Sequence, residues 1–312
     1  MPSPLHPGFS FFKKGAMKLR VASLQFKISP CDSFDHFRSH VADHVASAAD
    51  YRAKLLVFPE YFSIGLLHAG VLSLPMHDQI RRLALDYAAP SLQLFQELAR
   101  KHNLFIAAGT VPVLNGETQN IENHCHLVAP SGQSLAQGKL HMTRFESEDW
   151  IVHAARGLKV IETPFAKVAI AICYDVEFPE LVRAAVHQGA RILIVPSCTD
   201  DRQGWLRVRY CAQARTVENQ IYVIHSSTVG GLPRVPSCAL NYGQASLLTP
   251  SDYAFARDGI LAEGQANHEM MIVGELDMEA LKNSHENGTV LPLRDSLRTP
   301  ETVKDVELLA LH

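Results

Sequence analysis

The sequence predicts an α/β protein folded as one domain, on three observations. Short apolar strands alternate with amphipathic helical stretches along the whole chain. The segments HVASAADYRAKLLVFPE at 44–60 and LVRAAVHQGARILIVPS at 181–197 repeat one order: helix, basic residue, short apolar strand, proline, polar residue. That echo suggests a two-layer arrangement with an internal pseudo-twofold. No linker rich in Pro, Gly and Ser separates the halves.

The elements follow in order. LRVASLQF at 19–26 reads as a strand, 33–52 as a helix entered through Asp32 and Ser33, whose side chains can cap its first turn, and KLLVFPE at 54–60 as a second strand. Ile80, Leu83, Leu85, Leu92, Phe95 and Leu98 recur at helical spacing over 78–102, with Pro90 a point where the helix could break. FIAAGTVPVL at 105–114 is a strand, and HCHLVAP and SLAQGKLH are two more, joined by the SerGly turn at 131–132. The second half gives a strand at 168–173, a helix at 180–188, a strand at 191–197, a helix at 205–219 and a strand at 221–229, before two strands in ASLLTPS and MMIVGELD. Residues 1–16 read as a loose extension, 17–288 as the domain, and 289–312, with Pro292 and Pro300, as an irregular arm packed over this or another subunit.

Composition excludes several function classes. With 47% hydrophobic and 20% charged residues in 312, the chain can bury a sizeable core and is not disordered. The net charge of −3 is spread along the chain with no polybasic block, which argues against nucleic acid and membrane surfaces as partners. No apolar run approaches the roughly 20 residues of a membrane-spanning helix, so a cytoplasmic protein is expected. Its six cysteines show no CxxC pair and are expected to be free thiols. His124 and His126 share a strand face and invite a metal reading, but no third ligand is fixed by local spacing and no metal is expected.

Three strands end in groups that can do chemistry: LLVFP runs into Glu60, SLAQG into Lys139, and AIAI into Cys173. Ligands collect at the carboxyl ends of strands in open α/β sheets. Singly, each has a structural reading: a first-turn acid, a solvated lysine, a core thiol. Cys173 is moreover followed by Asp175, Glu177 and Glu180, and negative neighbours disfavour a thiolate. Together the three are coherent, because a nucleophilic thiol needs a base, a nearby cation and a positive group where an oxyanion develops. Glu60 can supply the first and Lys139 the other two.

VFPEYF around Glu60, GKLHMTRFE around Lys139 and ICYDVEFPE around Cys173 resemble, in order and separation, the three signature segments of the nitrilase superfamily of carbon–nitrogen hydrolases. The resemblance covers roughly residues 18–280. It implies an α-β-β-α sandwich with two mixed β-sheets faced by helices, no cofactor, and a homodimer or higher oligomer formed through helical layers. It implies Glu60 as general base, Lys139 as oxyanion and positioning group, Cys173 as nucleophile, the Tyr174 N–H in the oxyanion hole, and Glu146 as a second glutamate with Glu148 in reserve. Phe145, Glu177 and Thr199 are expected at the substrate, with Arg202 a further contact.

CysTyrAsp at 173–175 resembles the amidase branch, since nitrilases have Trp-Glu after the nucleophile; a small carboxamide losing ammonia is therefore the expected substrate. Relatives acting on amides with a free carboxylate often carry arginine where this chain has Glu177. A neutral or amine-bearing amide is expected instead, unless Glu177 is paired with Arg183 or another basic residue. Arg207, Arg209 and Arg215 are expected in structural ion pairs, the last with Glu218. Acyl transfer from the same thioester, nitrile hydrolysis, a histidine-assisted thiol hydrolase using His141 or His225, and a catalytically silent assembly module remain alternatives.

Overall fold

The computed structural model describes residues 18–70, 72–235 and 238–311. The extension expected over 1–16 lies outside them.

Strands β1 (Lys18–Ile28), β2 (Leu55–Phe58), β3 (Phe105–Leu114), β4 (Ile121–Val128) and β5 (Ser134–Gly138) form the first half, with β6 (Val152–His153) beside β4. Strands β7 (Val160–Glu162), β8 (Lys167–Ile170), β9 (Ile192–Ser197) and β10 (Tyr222–Gly230) form the second, extended by β11 (Ser246–Leu248) and β12 (Ile260–Glu263). The two halves are hydrogen-bonded into one continuous mixed sheet, ordered β5-β4-β3-β2-β1-β10-β9-β8-β7. Strand β13 (Met270–Asp277) returns antiparallel along β1 from Lys18 to Gln25, while Gln25–Ile28 pair in parallel with β10.

The sequence echo has a spatial counterpart. β2 lies parallel to both neighbours between β1 and β3, and β9 lies parallel to both neighbours between β10 and β8. Helices α1 (Phe34–Asp50) and α2 (Met76–His102) cover the first half. Ala22, Leu24, Phe26 and Ile28 of β1 share a core with Phe37, Val41 and Val45 of α1 and Leu83, Leu94 and Phe95 of α2. Leu19 and Val21 join the other core, with Leu55 and Val57, strands β8–β11, and the inner faces of two helices in the second half. Period-two alternation along β1 thus splits its side chains between two layers.

α1 begins where its sequence indicates, with the Ser33 hydroxyl accepting from the N–H of His36 at 3.2 Å. α2 differs from expectation in running unbroken through Pro90. A proline removes one backbone hydrogen bond, and the buried row of Ile80, Leu83, Leu94, Phe95 and Leu98 on both sides of it holds the two halves of the helix in line. Leu85, in the same periodic set, points outward and is exposed. The remaining helices are α3 (Arg144–Glu148), α4 (Pro179–His187), α5 (Arg202–Asn219) and α6 (Met278–Asn287), followed by short turns α7 (Pro292–Asp295) and α8 (Thr299–Thr302). No described helix is long and apolar enough to cross a membrane.

Candidate active site

The three strand-end residues meet. Glu60 sits where β2 gives way to a 3-10 turn, Phe62–Ala69; Lys139 follows directly on β5; Cys173 opens a second 3-10 turn, Cys173–Glu177, just beyond β8. All three are buried, Glu60 and Lys139 to 1% exposure. The Lys139 Nζ donates to Glu60 Oε1 at 2.8 Å and to Glu146 Oε2 at 2.6 Å. An ammonium has three N–H donors, so one remains for a further acceptor.

Each group is held by backbone chemistry. The bend after Glu60 puts Tyr61 in the left-handed region, φ 51°, with its N–H donating to Thr110 Oγ1 at 3.0 Å. Gly109, φ 60°, permits the bulge in β3 that brings Thr110 there: a Cβ at this position would stand 2.3 Å from the Pro59 carbonyl oxygen. Glu60 also accepts from Asn123 Nδ2 at 3.1 Å and from the backbone N–H of Cys198 at 3.1 Å. Cys198 follows β9, the strand that mirrors β2, so the two ends of the echo join in one hydrogen bond.

Glu146 lies in the first turn of α3, where the pattern Thr-x-x-Glu at 143–146 forms a capping box. Its Oε2 accepts from the Thr143 N–H and hydroxyl as well as from Lys139, and its Oε1 accepts from the Tyr61 hydroxyl at 2.7 Å. Glu148 is exposed, bonded to Arg144, and remote from this network.

Cys173 has φ 48°, a left-handed conformation that is strained for any residue with a Cβ. Its thiol lies 3.7 Å from the Cys198 carbonyl oxygen and forms part of the wall of a small cleft. Asp175, the acid nearest to it in sequence, is turned away by the 3-10 geometry. Its carboxylate accepts from the backbone N–H groups of Leu140 and His141 and from the His141 ring. It therefore anchors the segment following Lys139 and does not face the thiol. His141 is committed to that bond and stacks on Phe178, and His225 is buried between Ser227 and Ser246. Neither is placed as a base for Cys173.

Phe145, Tyr174, Glu177 and Thr199 all line the cleft, with Trp150, Asp200, Arg207 and Asn241. The Thr199 hydroxyl is spent on the Tyr242 carbonyl oxygen at 2.7 Å, leaving its methyl for the wall. Arg202 does not line this cleft. Glu177 pairs with Arg207 at 3.6 Å, not with Arg183. Arg209 pairs with Glu263 and Arg215 with Glu218. His124 bonds to Glu122 on its own strand, which uses one of the two nitrogens in the metal reading of that strand. Asn123, Tyr61, Thr143 and the Cys198 N–H belong to the network and were not singled out from sequence. Only the Thr-x-x-Glu pattern gave a local signal for any of them.

Charge decides how these groups titrate. Burial pushes the Cys173 thiol well above its ordinary range, and the Glu60 charge adds to that while Lys139 opposes it. Burial also lifts Glu60 to about 7, with the Glu146 charge assisting and Lys139 opposing. For Glu146 the balance is reversed: burial would raise it, but Lys139 and the Thr143 donors outweigh burial and hold it below the usual carboxylate range. Lys139 stays protonated because the two glutamates overcome its burial. The network thus contains a fixed Lys139–Glu146 ion pair and a Glu60 carboxyl poised near neutrality beside a neutral thiol. If Glu60 is the base that the resemblance implies, it must be unprotonated to accept a proton, so kcat/KM is expected to fall as pH drops through about 7. A pH–rate profile checks this; an acid limb near the ordinary carboxylate value would show that Glu60 is not so poised.

A family model described as carbon–nitrogen hydrolase matches residues 20–285. A probable hydrolase of Bacillus subtilis strain 168, YhcX, is 40% identical over 291 residues; the match takes in 92% of this chain, and the chain spans only 55% of that relative's length. The omega-amidase NIT3 of Saccharomyces cerevisiae is 28% identical over 282 residues, covering 86% of this chain and 90% of the relative. The crystal structure of yeast Nit3, a member of branch 10 of the nitrilase superfamily, superposes with a TM-score of 0.71 at 26% identity, over 92% of this chain and 96% of that one.

Proposed function

Because the chain belongs to the carbon–nitrogen hydrolase family of the nitrilase superfamily, we propose that it hydrolyses a small carboxamide through a thioester on Cys173. The observation that carries this reading is the buried contact of Lys139 with both Glu60 and Glu146, at the mouth of which the thiol meets the cleft.

As the Cys173 sulfur attacks the amide carbon, Glu60 takes the thiol proton and the carbonyl π pair moves onto oxygen. The free Lys139 N–H and the Tyr174 backbone N–H hold that oxyanion. Collapse breaks the C–N bond, and Glu60 returns the proton to the departing nitrogen, which leaves as ammonia. Water then adds to the thioester as Glu60 takes its proton. Collapse of the second oxyanion breaks the C–S bond, and the thiolate recovers the proton from Glu60. Glu146 reacts with nothing; it keeps Lys139 charged and aimed.

The cleft wall sets the substrate's far end. Two carboxylates, Glu177 and Asp200, face it with one guanidinium, Arg207, already engaged by Glu177. A neutral or cationic amide is therefore favoured over one with a free carboxylate. The names of the omega-amidase relatives and the position of Arg207 support a second reading, in which Arg207 receives an anionic end. Ammonia release from matched anionic, neutral and cationic amides separates the two. Neutral or cationic preference is expected, shifting toward the anionic amide by about 10-fold in Glu177→Gln; efficient turnover of the anionic amide that is lost in Arg207→Ala would establish the second reading.

The six free cysteines support a reducing, cytosolic setting. Exposed Tyr210 and Val217 on α5 support association of two copies through a helical layer.

A further inference from the structure

We propose that His40, His44 and Glu269 form a binding site for a divalent transition-metal ion of the zinc class, which clasps α1 to the start of β13. His40 and His44 are four residues apart on α1, so their rings rise from one helix face. Glu269 precedes β13 and brings a carboxylate against both.

The spacing of the ligand atoms matches an ion's coordination shell. His40 Nε2 lies 3.0 Å from Glu269 Oε1, His44 Nε2 lies 3.4 Å from the same oxygen, and the two nitrogens are 3.2 Å apart. A tetrahedral zinc ion with bonds of about 2.0–2.2 Å has ligand–ligand edges of about 3.3 Å. Three such edges describe one face of that tetrahedron. Hydrogen bonding alone accounts for the arrangement less well. One His40 N–H satisfies the carboxylate oxygen, the His44 contact is then long, and two ring nitrogens are left facing each other across the gap. Among the described residues, no other three His, Cys, Asp or Glu side chains converge in this way.

The ligands are also preset. The Phe26 ring packs against both imidazoles, at centroid distances of 4.6 and 5.4 Å, and Phe58 meets His44 edge-on. Glu269 Oε1 receives the Lys27 N–H at 3.2 Å, which fixes the carboxylate to β1. The side chains of His40 and Glu269 keep about 30% exposure, 27% and 32%, which leaves the fourth corner open to water. The site shares no residue with the Cys173 cleft, so its role is in the fold. An ion there ties the first helix to the strand that pairs with β1 from Lys18 to Gln25.

Titration of the chelator-treated full chain with Zn²⁺ alone, by calorimetry and by thermal unfolding, tests this. One equivalent per chain is expected, with a rise of several degrees in the thermal midpoint at a large excess over Kd. His44→Ala and Glu269→Gln are each expected to weaken binding about 10-fold or more and to remove the thermal shift. Cys173→Ala should retain both. Circular dichroism of the unliganded variants confirms that they fold, and Glu269→Gln, on the more exposed residue, serves if His44→Ala does not. Absence of stoichiometric binding, binding unchanged in both variants, or binding lost only in Cys173→Ala would overturn the assignment.

Discussion

Lys139→Ala is expected to lose stability as well as turnover. Among the described residues, Lys139 is the only cation bonded to two carboxylates that are themselves buried to 0–1% exposure. Removing one partner of a buried ion pair costs about 3–5 kcal/mol because the remaining charge is left without compensation. The sign of the pH dependence follows. Without the ammonium, the folded-state pKa of Glu146 rises from below the unfolded value to above it and that of Glu60, already raised to about 7, rises further, so the variant loses more stability as pH rises and recovers as pH falls toward 5. Urea denaturation at several pH values measures this directly. A Lys139→Met, Glu146→Gln pair should recover part of the loss, having removed both members of the fixed ion pair, while remaining inactive for want of the oxyanion donor. A Lys139→Ala protein as stable as the parent at pH 8 would mean that the three charges are not coupled as drawn.

Cys173→Ala carries the other large effect. The proposed reaction passes through a bond to this sulfur, and loss of a nucleophile in a covalent mechanism lowers turnover on the order of 10⁴-fold or more. Stability should move the other way or hardly at all. The substitution removes a thiol whose pKa burial already pushes well up, and leaves the Lys139 bonds to Glu60 and Glu146 in place. Inactivity with an undiminished denaturation midpoint distinguishes a chemical role from a packing one. Retained ammonia release would rule out every thiol mechanism, the histidine-assisted one included, and leave water attacking the amide directly.

Glu60, Lys139 and Cys173 were legible because each follows an apolar strand, and strand ends gather in α/β sheets. Glu146 was legible only through the family resemblance, which implies a second glutamate after the lysine; the Thr143 capping box that holds it emerged with the structure. Asp175 was not. Read linearly it is an acid two residues from the thiol, but in the 3-10 turn it points to the N–H groups of Leu140 and His141. Its effect is to position the segment after Lys139, not to repel a thiolate. The ion pair of Glu177 with Arg207 is likewise out of reach of local spacing, since α5 meets the Cys173 turn only through the tertiary fold. The same holds for β13, whose pairing with β1 joins the two ends of the domain, and for His40 and His44, whose i, i+4 spacing gains meaning only when Glu269 arrives beside them.

The most direct test of the covalent route is to let the wild-type protein turn over a carboxamide in the presence of hydroxylamine and to assay hydroxamic acid. A thioester on Cys173 is expected to partition between water and this stronger nucleophile, giving a hydroxamate that rises with hydroxylamine concentration and is absent with Cys173→Ala. Free acid as the sole product at every hydroxylamine concentration, with ammonia still released, would contradict the account.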